Sequence, residues 1–280
     1  ADVFGGYLDL RYRIDPVGGT RAGRRELDGL YGAYDSASVR AHIAALRSET
    51  GALEETAAGT LDEEIDQTAA LHDARHLLLV FERLRPFARD PGFHLAHAMD
   101  GIQRLVADDR DDAGARAAAL AARLRALPEL FAAAAVALTE PVRPLADAAA
   151  ASLPVSLTML DGLDGVLAPA VADAADRAAL IAVARDALVG FGDVLSLMDE
   201  RDAFHDQVGV GRDLFERLLH TAHMIQGGAD QLFRWAEDAH GEARTAIEAM
   251  VGSGADGHGG VAESLGGDAS DESLRRVYED

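Results

Sequence analysis

The sequence contains no cysteine, no lysine and no asparagine. Without cysteine the chain can form no disulfide, no thiolate nucleophile and no cysteine-ligated metal site. Without lysine it can form neither a Schiff base nor the lysine contact of a Walker-type phosphate loop. These absences exclude several classes of enzyme.

Positive charge is also scarce. The 26 basic residues, all arginine, face 48 carboxylates, which gives a formal net charge of -22. Such a charge repels phosphate backbones and anionic lipids, so we expect neither nucleic acid nor a membrane as partner. Because lysine and asparagine share AA-initial codons, a GC-rich genome explains their absence. An acidic halophile-type surface is the alternative, supported by 31 aspartates.

Long hydrophobic runs are missing as well. The longest stretch without a charged residue, 148–160, has thirteen residues and contains Pro154. A bilayer-spanning helix needs about 20 predominantly apolar residues, so we expect no transmembrane segment. No export leader opens the chain as given, so the expected location is cytoplasmic, and a leader removed before Ala1 is the alternative.

The segment 60–99 is predicted to form one long helix, a short break and the start of a second helix. Thr60 followed by Glu63 fits a capping box, in which the threonine oxygen accepts an early backbone N–H and the glutamate reaches back to the cap. Pro86 ends this helix, and Pro91 suits the first position of the next one.

Within the long helix, apolar and imidazole side chains recur every three or four residues. This spacing places them along one face, so both imidazoles lie in an apolar stripe. The residues in the stripe are Leu61, Ile65, Ala69, His72, His76 and Leu79.

Proline and glycine divide most of the remaining sequence into further helices. The predicted helices are 39–55, 92–107, 113–127, 129–138, 142–152, 155–163, 169–191, 195–204, 212–224 and 229–251. Three breaks between them depend on Pro128, Pro154 and the segment 190–192. No stretch alternates with period two, so the predicted class is all-α, a multi-helix array of antiparallel packed helices with no sheet.

The chain is predicted to have three parts: a helical domain over 1–251, a flexible Gly-rich linker over 252–270, and a short terminal helix over 271–280. Glycines and small polar residues in the linker bury too little apolar area to offset the entropy of ordering. The terminal helix carries an apolar side without a visible partner, which predicts a homo-oligomer or a separate partner polypeptide. That side comprises Leu274, Val277 and Tyr278.

Three segments of the chain carry a recognisable pattern: IDQTAALHDARHLLLVFERLRPFARDPGFHLAHAMDGI, RAAALAARLRALPELFAAAAVALTEPV and VGVGRDLFERLLHTAHMIQGGADQLFRWAEDA. Its marks are Asp90-Pro91 with Phe93, Arg123-Leu124 before Pro128, and Gly211-Arg212 leading to Phe215 and Leu218-Leu219. In this order the segments resemble the N-terminal half of a bacterial family, domain of unknown function 885. The resemblance covers most of 1–251 and implies a helical fold.

Members of that family resemble helical zinc carboxypeptidases. The resemblance implies that the metal would be held by a His-Glu-x-x-Pro-Gly-His motif, which together with a Glu-Gly-Trp motif lies in the C-terminal half of the family's proteins. This chain has no histidine followed by glutamate, and its single Trp235 follows Arg234. The resemblance therefore does not imply activity here.

A candidate metal site nevertheless occurs in the long helix. His72 and His76 lie one turn apart on one face, and Asp73 beside them is a candidate catalytic base for a metal-bound water. His94 and His97 on the next helix are the nearest candidates for a third ligand. The alternative is that His72 and His76 are histidines at the edge of the core, hydrogen-bonded to neighbouring helices.

Other motifs favour structural roles. His220 and His223 lie near a predicted helix C-terminus, where the helix dipole suits them. Gly209 and Gly211 precede a helix but follow no strand, so a phosphate turn is not expected. The acidic run 108–112 lacks the ligand spacing of a calcium loop and is predicted to be a solvated turn.

Two functions remain. The first is a non-catalytic binding or scaffold module, with no cofactor, that takes a peptide, a small molecule or a partner segment between its helices. The second is a zinc-dependent, peptidase-like hydrolase that uses His72, Asp73 and His76. We favour the first because the residues that would carry chemistry are few, whereas those that carry packing are many.

Overall fold

The computed structural model describes residues 3–107, 112–201 and 203–253. Most of the predicted linker and the whole predicted terminal helix, including its apolar side, lie outside the described residues. Most of the acidic run at 108–112 also lies outside them.

The described residues form a succession of helices joined by short connections. In chain order they are α1 (Val3–Ile14), α2 (Pro16–Arg21), α3 (Ser36–Glu55), α4 (Leu61–Leu79), α5 (Pro86–Arg89), α6 (Pro91–Ala107), α7 (Ala113–Ala137), α8 (Arg143–Asp161), α9 (Asp164–Leu167), α10 (Ala174–Glu200), α11 (Arg212–His223) and α12 (Ala229–Ser253). A 3₁₀ turn at Arg25–Leu27 and a π-helical turn at Val80–Leu84 complete the set.

The prediction of an all-α fold is confirmed, because no strand occurs in 3–107, 112–201 or 203–253. Extended pairing in these ranges is limited to an isolated parallel bridge between Val142 and His205. The described chain divides into two units, 1–224 and the part that begins at Ile225, to which α12 belongs.

The start of α4 is as predicted. The Thr60 hydroxyl accepts from the Glu63 backbone N–H at 3.3 Å, and the Glu63 carboxylate accepts from the Thr60 N–H at 3.1 Å. This reciprocal pair satisfies two helix-end donors and fixes where the helix begins. The start of α6 at Pro91 is also as predicted.

The apolar stripe along α4 is not buried along its whole length. Leu61 and Ile65 are 70% and 57% exposed, and the buried side of the helix instead carries Ala74, Leu77 and Leu79. Helix α4 packs against α1, α3 and α11. These neighbours determine which face is covered, and the spacing of apolar residues in α4 alone does not.

The predicted breaks at Pro128, Pro154 and 190–192 are wrong. Pro128 lies inside α7, and Pro154 lies inside α8. The segment 190–192, with Gly190 and Gly192, lies inside α10. An interior proline costs about 3 kcal/mol through a lost hydrogen bond and a steric clash. In α7 the buried Leu124 and Phe131 lie on either side of Pro128, and burial of such side chains contributes about 1.5–3 kcal/mol each.

Two hydrophobic cores hold the first unit together. The larger one lies among α6, α7, α8, α9 and α10, where Phe131 and Phe191 stack with ring centroids 4.7 Å apart. The smaller one joins α1, α3, α4 and the segment 80–89, and contains Tyr7, Leu46 and Phe81. The loop 29–35 lies beside both, because Tyr31 packs on the larger core and Tyr34 on the smaller one.

Candidate functional site

The predicted ligands His72 and His76 lie where α4 packs against α11. The His72 ring stands at 67° to the His220 ring, with centroids 5.5 Å apart. His72 Nδ1 is buried and has no hydrogen-bond partner among the described residues. His76 Nδ1 lies 3.5 Å from the Thr221 hydroxyl. Burial lowers the pKa of His76, opposed by the nearby charge of Asp73.

The predicted base, Asp73, is held by α1. Its Oδ2 atom accepts from the Tyr7 hydroxyl at 2.5 Å and from Arg11 Nε at 3.3 Å. Burial raises the pKa of Tyr7 well above its usual value, and its hydrogen bond to Asp73 raises it further. The Tyr7 hydroxyl therefore stays protonated at neutral pH, and Asp73 links α4 to α1.

The other two predicted ligands, His94 and His97, are engaged by backbone groups. His94 is 2% exposed, and its Nε2 lies 2.8 Å from the Phe87 carbonyl, which makes Nε2–H the donor. His97 Nε2 accepts from the Gly32 N–H at 3.2 Å. Burial lowers the pKa of His94 and lowers that of His97 to about 4, so both rings are neutral at pH 7.

No set of three or more His, Asp or Glu side chains in the described part of the chain is arranged to hold a metal ion. His72 and His76 face α11, whereas His94 and His97 lie in a cluster of aromatic rings. The structure therefore places the two pairs in different surroundings.

The aromatic cluster is centred on Tyr34. Its ring meets Phe93 edge-on with centroids 4.9 Å apart, and it stacks with Phe81 and Phe87 at 6.3 and 6.4 Å. The His97 ring lies 5.4 Å away, almost perpendicular to it. Such pairs add about 0.5–1.5 kcal/mol each beyond the burial of their area, so Tyr34 is held in one orientation.

Tyr31 is fixed in a different way. Its hydroxyl donates to the Ala98 carbonyl at 2.9 Å, and the Arg123 guanidinium lies 5.5 Å from its ring centroid. Arg123 is itself fully buried and donates to the Gly101 carbonyl and, at 2.7 Å, to the Thr20 hydroxyl. Burial lowers the pKa of Arg123. These contacts anchor Tyr31 from α6 and α7.

Between the loop 29–35 and α7 lies a cavity of about 290 Å³, which we call the Tyr31–Tyr34 cavity. His94 also lines it, and because Nε2–H is donated to Phe87, the Nδ1 atom of His94 remains as an acceptor. On the α7 side the wall consists mainly of small side chains spaced three or four residues apart. They include Ala126, Leu130, Ala133 and Ala137.

The charged residues of the cavity are both acidic. Asp35 and Glu129 line it, and no arginine in the described part of the chain does. Hydrogen bonds from the Ser38 hydroxyl and backbone N–H lower the pKa of Asp35, so it is a carboxylate at pH 7. Glu129 makes no ion pair or hydrogen bond with the described residues and is exposed.

The model of a family described as "Bacterial protein of unknown function (DUF885)" matches residues 16–272. The chain belongs to this family. No curated protein sequence matches it. Membership extends the expected resemblance beyond residue 251, into the residues that follow α12.

A solved structure described as "a putative lipoprotein of unknown function from Shewanella oneidensis" is similar to this DUF885 chain, with a TM-score of 0.69 and 15% identity. The match covers 91% of this chain and 48% of that one, so this chain spans about half the length of that relative. At this identity the match shows a shared fold. None of the described helices of the DUF885 chain is long and apolar enough to cross a membrane.

Sequence reasoning missed the Tyr31–Tyr34 cavity in this DUF885 chain. Tyr31 and Tyr34 lie in a Gly-rich segment that shows no helical period. The available signal was the pair of tyrosines around Gly32, together with a row of alanines on one face of α7. Neither pattern indicates a ligand until the two segments are known to be adjacent.

Proposed function

We propose that this DUF885 chain is a non-catalytic helical binding module that holds a small molecule in the Tyr31–Tyr34 cavity. The proposal rests on how its walls are fixed. Tyr31, Tyr34 and His94 are each held by contacts outside the cavity. Walls that are already ordered lose little conformational entropy on binding, which favours affinity.

The size and lining of the cavity also support this function. Its volume of about 290 Å³ is near the lower end of ligand pockets, which span about 300–1,000 Å³. Alanine, tyrosine and leucine make up most of its lining residues, and His94 has a ring nitrogen left as an acceptor. A mostly apolar pocket with a few convergent polar groups is the usual form of a small-molecule site.

The alternative, a zinc-dependent and metallopeptidase-like hydrolase, needs Asp73 as a general base next to His72 and His76. The Asp73 carboxylate already accepts from Tyr7 and Arg11. Both bonds fall on Oδ2 and tie the carboxylate to α1, and no group of three or more His, Asp or Glu side chains among the described residues could hold the metal that such a base would serve. For this reason we place the binding module first.

Binding of indole, followed by the NMR shifts of the tyrosine and alanine signals, tests the proposal. Ala133→Leu adds volume to the cavity wall and should abolish saturable binding. Ala118→Leu is the matched control, because Ala118 is exposed on the same helix and does not line the cavity. If indole binds neither the wild type nor the control, or binds Ala133→Leu equally well, the proposed site is wrong.

A peptidase assay with added zinc distinguishes the binding module from the zinc-dependent hydrolase. The binding module should show no zinc-dependent turnover. Turnover that His76→Ala abolishes would instead support the hydrolase.

A further inference from the structure

We infer that the ligand of the Tyr31–Tyr34 cavity is an arylalkylamine, a flat aromatic ring joined through a short alkyl chain to a protonated amino group. This inference rests on the proposed binding function and adds the chemical class of the ligand. It combines the fixed rings of the cavity with the sign of the charges that line it.

The ring half of the ligand follows from the walls. Tyr31 and Tyr34 present rigid aromatic surface, and Ala126, Ala133 and Ala137 present a smooth wall of methyl groups. A flat apolar ring fills such a space without ordering any side chain. A ring N–H would also satisfy the Nδ1 acceptor of His94, because that ring is neutral and its other nitrogen already donates to Phe87.

The amine half follows from Asp35 and Glu129. Asp35 caps α3, where its Oδ1 atom accepts from the Ala37 and Ser38 N–H groups at 2.9 and 3.1 Å. The Ser38 hydroxyl donates to Oδ2 at 2.5 Å, so about one of the roughly four acceptor sites of this carboxylate stays open. Glu129 makes no contact with the described residues that would neutralise it.

Among the described residues, no positive side chain lines the cavity to offset these two charges. The other titratable residues that line it there are the partly buried Tyr31 and Tyr34 and the buried His94, all uncharged at pH 7. An anionic ligand would therefore meet repulsion from both carboxylates, whereas Arg123 contacts the Tyr31 ring but does not line the cavity. A cationic ligand would gain two attractive interactions.

The test compares three probes that share the indole ring: tryptamine (cation), tryptophol (neutral) and indole-3-propionate (anion). We expect tryptamine to bind about tenfold more tightly than tryptophol, and the anion to bind most weakly. High salt should reduce the preference, because it screens partly exposed charges. Titration calorimetry gives each affinity.

Glu129→Gln should weaken the binding of tryptamine several-fold and leave the affinity for tryptophol unchanged. Glu55→Gln is the control, since Glu55 is an exposed acid at the far end of α3, about 30 Å of helix from Asp35. Equal affinity for all three probes, or a preference for the anion, would overturn this inference and leave the binding module intact. Failure of every probe would overturn both proposals.

Discussion

Gly101→Ala tests whether Tyr31 is as rigid as its contacts indicate. Gly101 lies inside α6, where a Cβ atom would stand 2.7 Å from Tyr31 Cε1 and 3.3 Å from Arg123 Nη1. Carbon atoms prefer separations of about 3.5–4.0 Å, so the tyrosine ring would have to retreat by roughly 1 Å. The hydrogen bond to Ala98 and the Arg123 guanidinium oppose that movement.

The expected magnitude comes from two opposing effects. Replacing glycine by alanine inside a helix stabilises by about 0.5–1 kcal/mol. Overpacking a well-filled site costs about 1–3 kcal/mol. We therefore expect Gly101→Ala to lower the free energy of unfolding by up to about 2 kcal/mol, and to weaken indole binding because Tyr31 is displaced.

Gly190→Ala isolates the packing effect. Gly190 also lies inside a helix, α10, but a Cβ atom there would meet nothing within 4 Å. It should stabilise by the helix-propensity gain alone, about 0.5–1 kcal/mol. The difference between the two variants then equals the overpacking cost, about 1–3 kcal/mol.

Urea unfolding followed by far-UV circular dichroism measures both changes. A double-mutant cycle with Tyr31→Leu should remove most of the cost at Gly101, because the obstructing ring is gone. If the two alanine variants stabilise the fold equally, the Tyr31 ring can move aside at no cost in free energy. Tyr31 would then not be a rigid wall of the cavity before a ligand binds.

Two further predictions concern stability. The pKa of His97 is about 4 in the folded state and about 6.5 in the unfolded state. As the pH falls, the unfolded chain therefore takes up the proton first, and stability should be lost between about pH 6.5 and pH 4. Urea unfolding across that range should show that His97→Gln reduces the change of the unfolding free energy with pH by up to about 1.4 kcal/mol per pH unit. If that pH dependence is unchanged, the His97 ring is not shielded from water as its contacts indicate. Thr60→Ala should lower the free energy of unfolding by about 1 kcal/mol through loss of the cap. Leu79→Ala, at a position 8% exposed, should lower it by about 2–5 kcal/mol by leaving a cavity. Equal small effects of both variants in thermal melts would show that α4 is peripheral.

Local chemistry predicted the class of fold and several helix ends. The cap of α4 depends on Thr60 and Glu63, three residues apart, and the start of α6 on Asp90 and Pro91, which are adjacent. Interactions between near neighbours in the chain have the same geometry in almost any helix. They can therefore be predicted without knowing what the helix packs against.

Tertiary packing decided the remainder. Pro128 should end a helix by local rules, yet α7 continues because its buried side chains on both sides of the proline outweigh the local cost. The covered face of α4 follows from its neighbours α1, α3 and α11 rather than from its own spacing. The Tyr31–Tyr34 cavity depends on contact between the loop 29–35, His94 and α7. Most helix ends follow from residues that are adjacent in the chain. The walls of the cavity come from segments far apart in the chain, so no local pattern in the sequence predicts them.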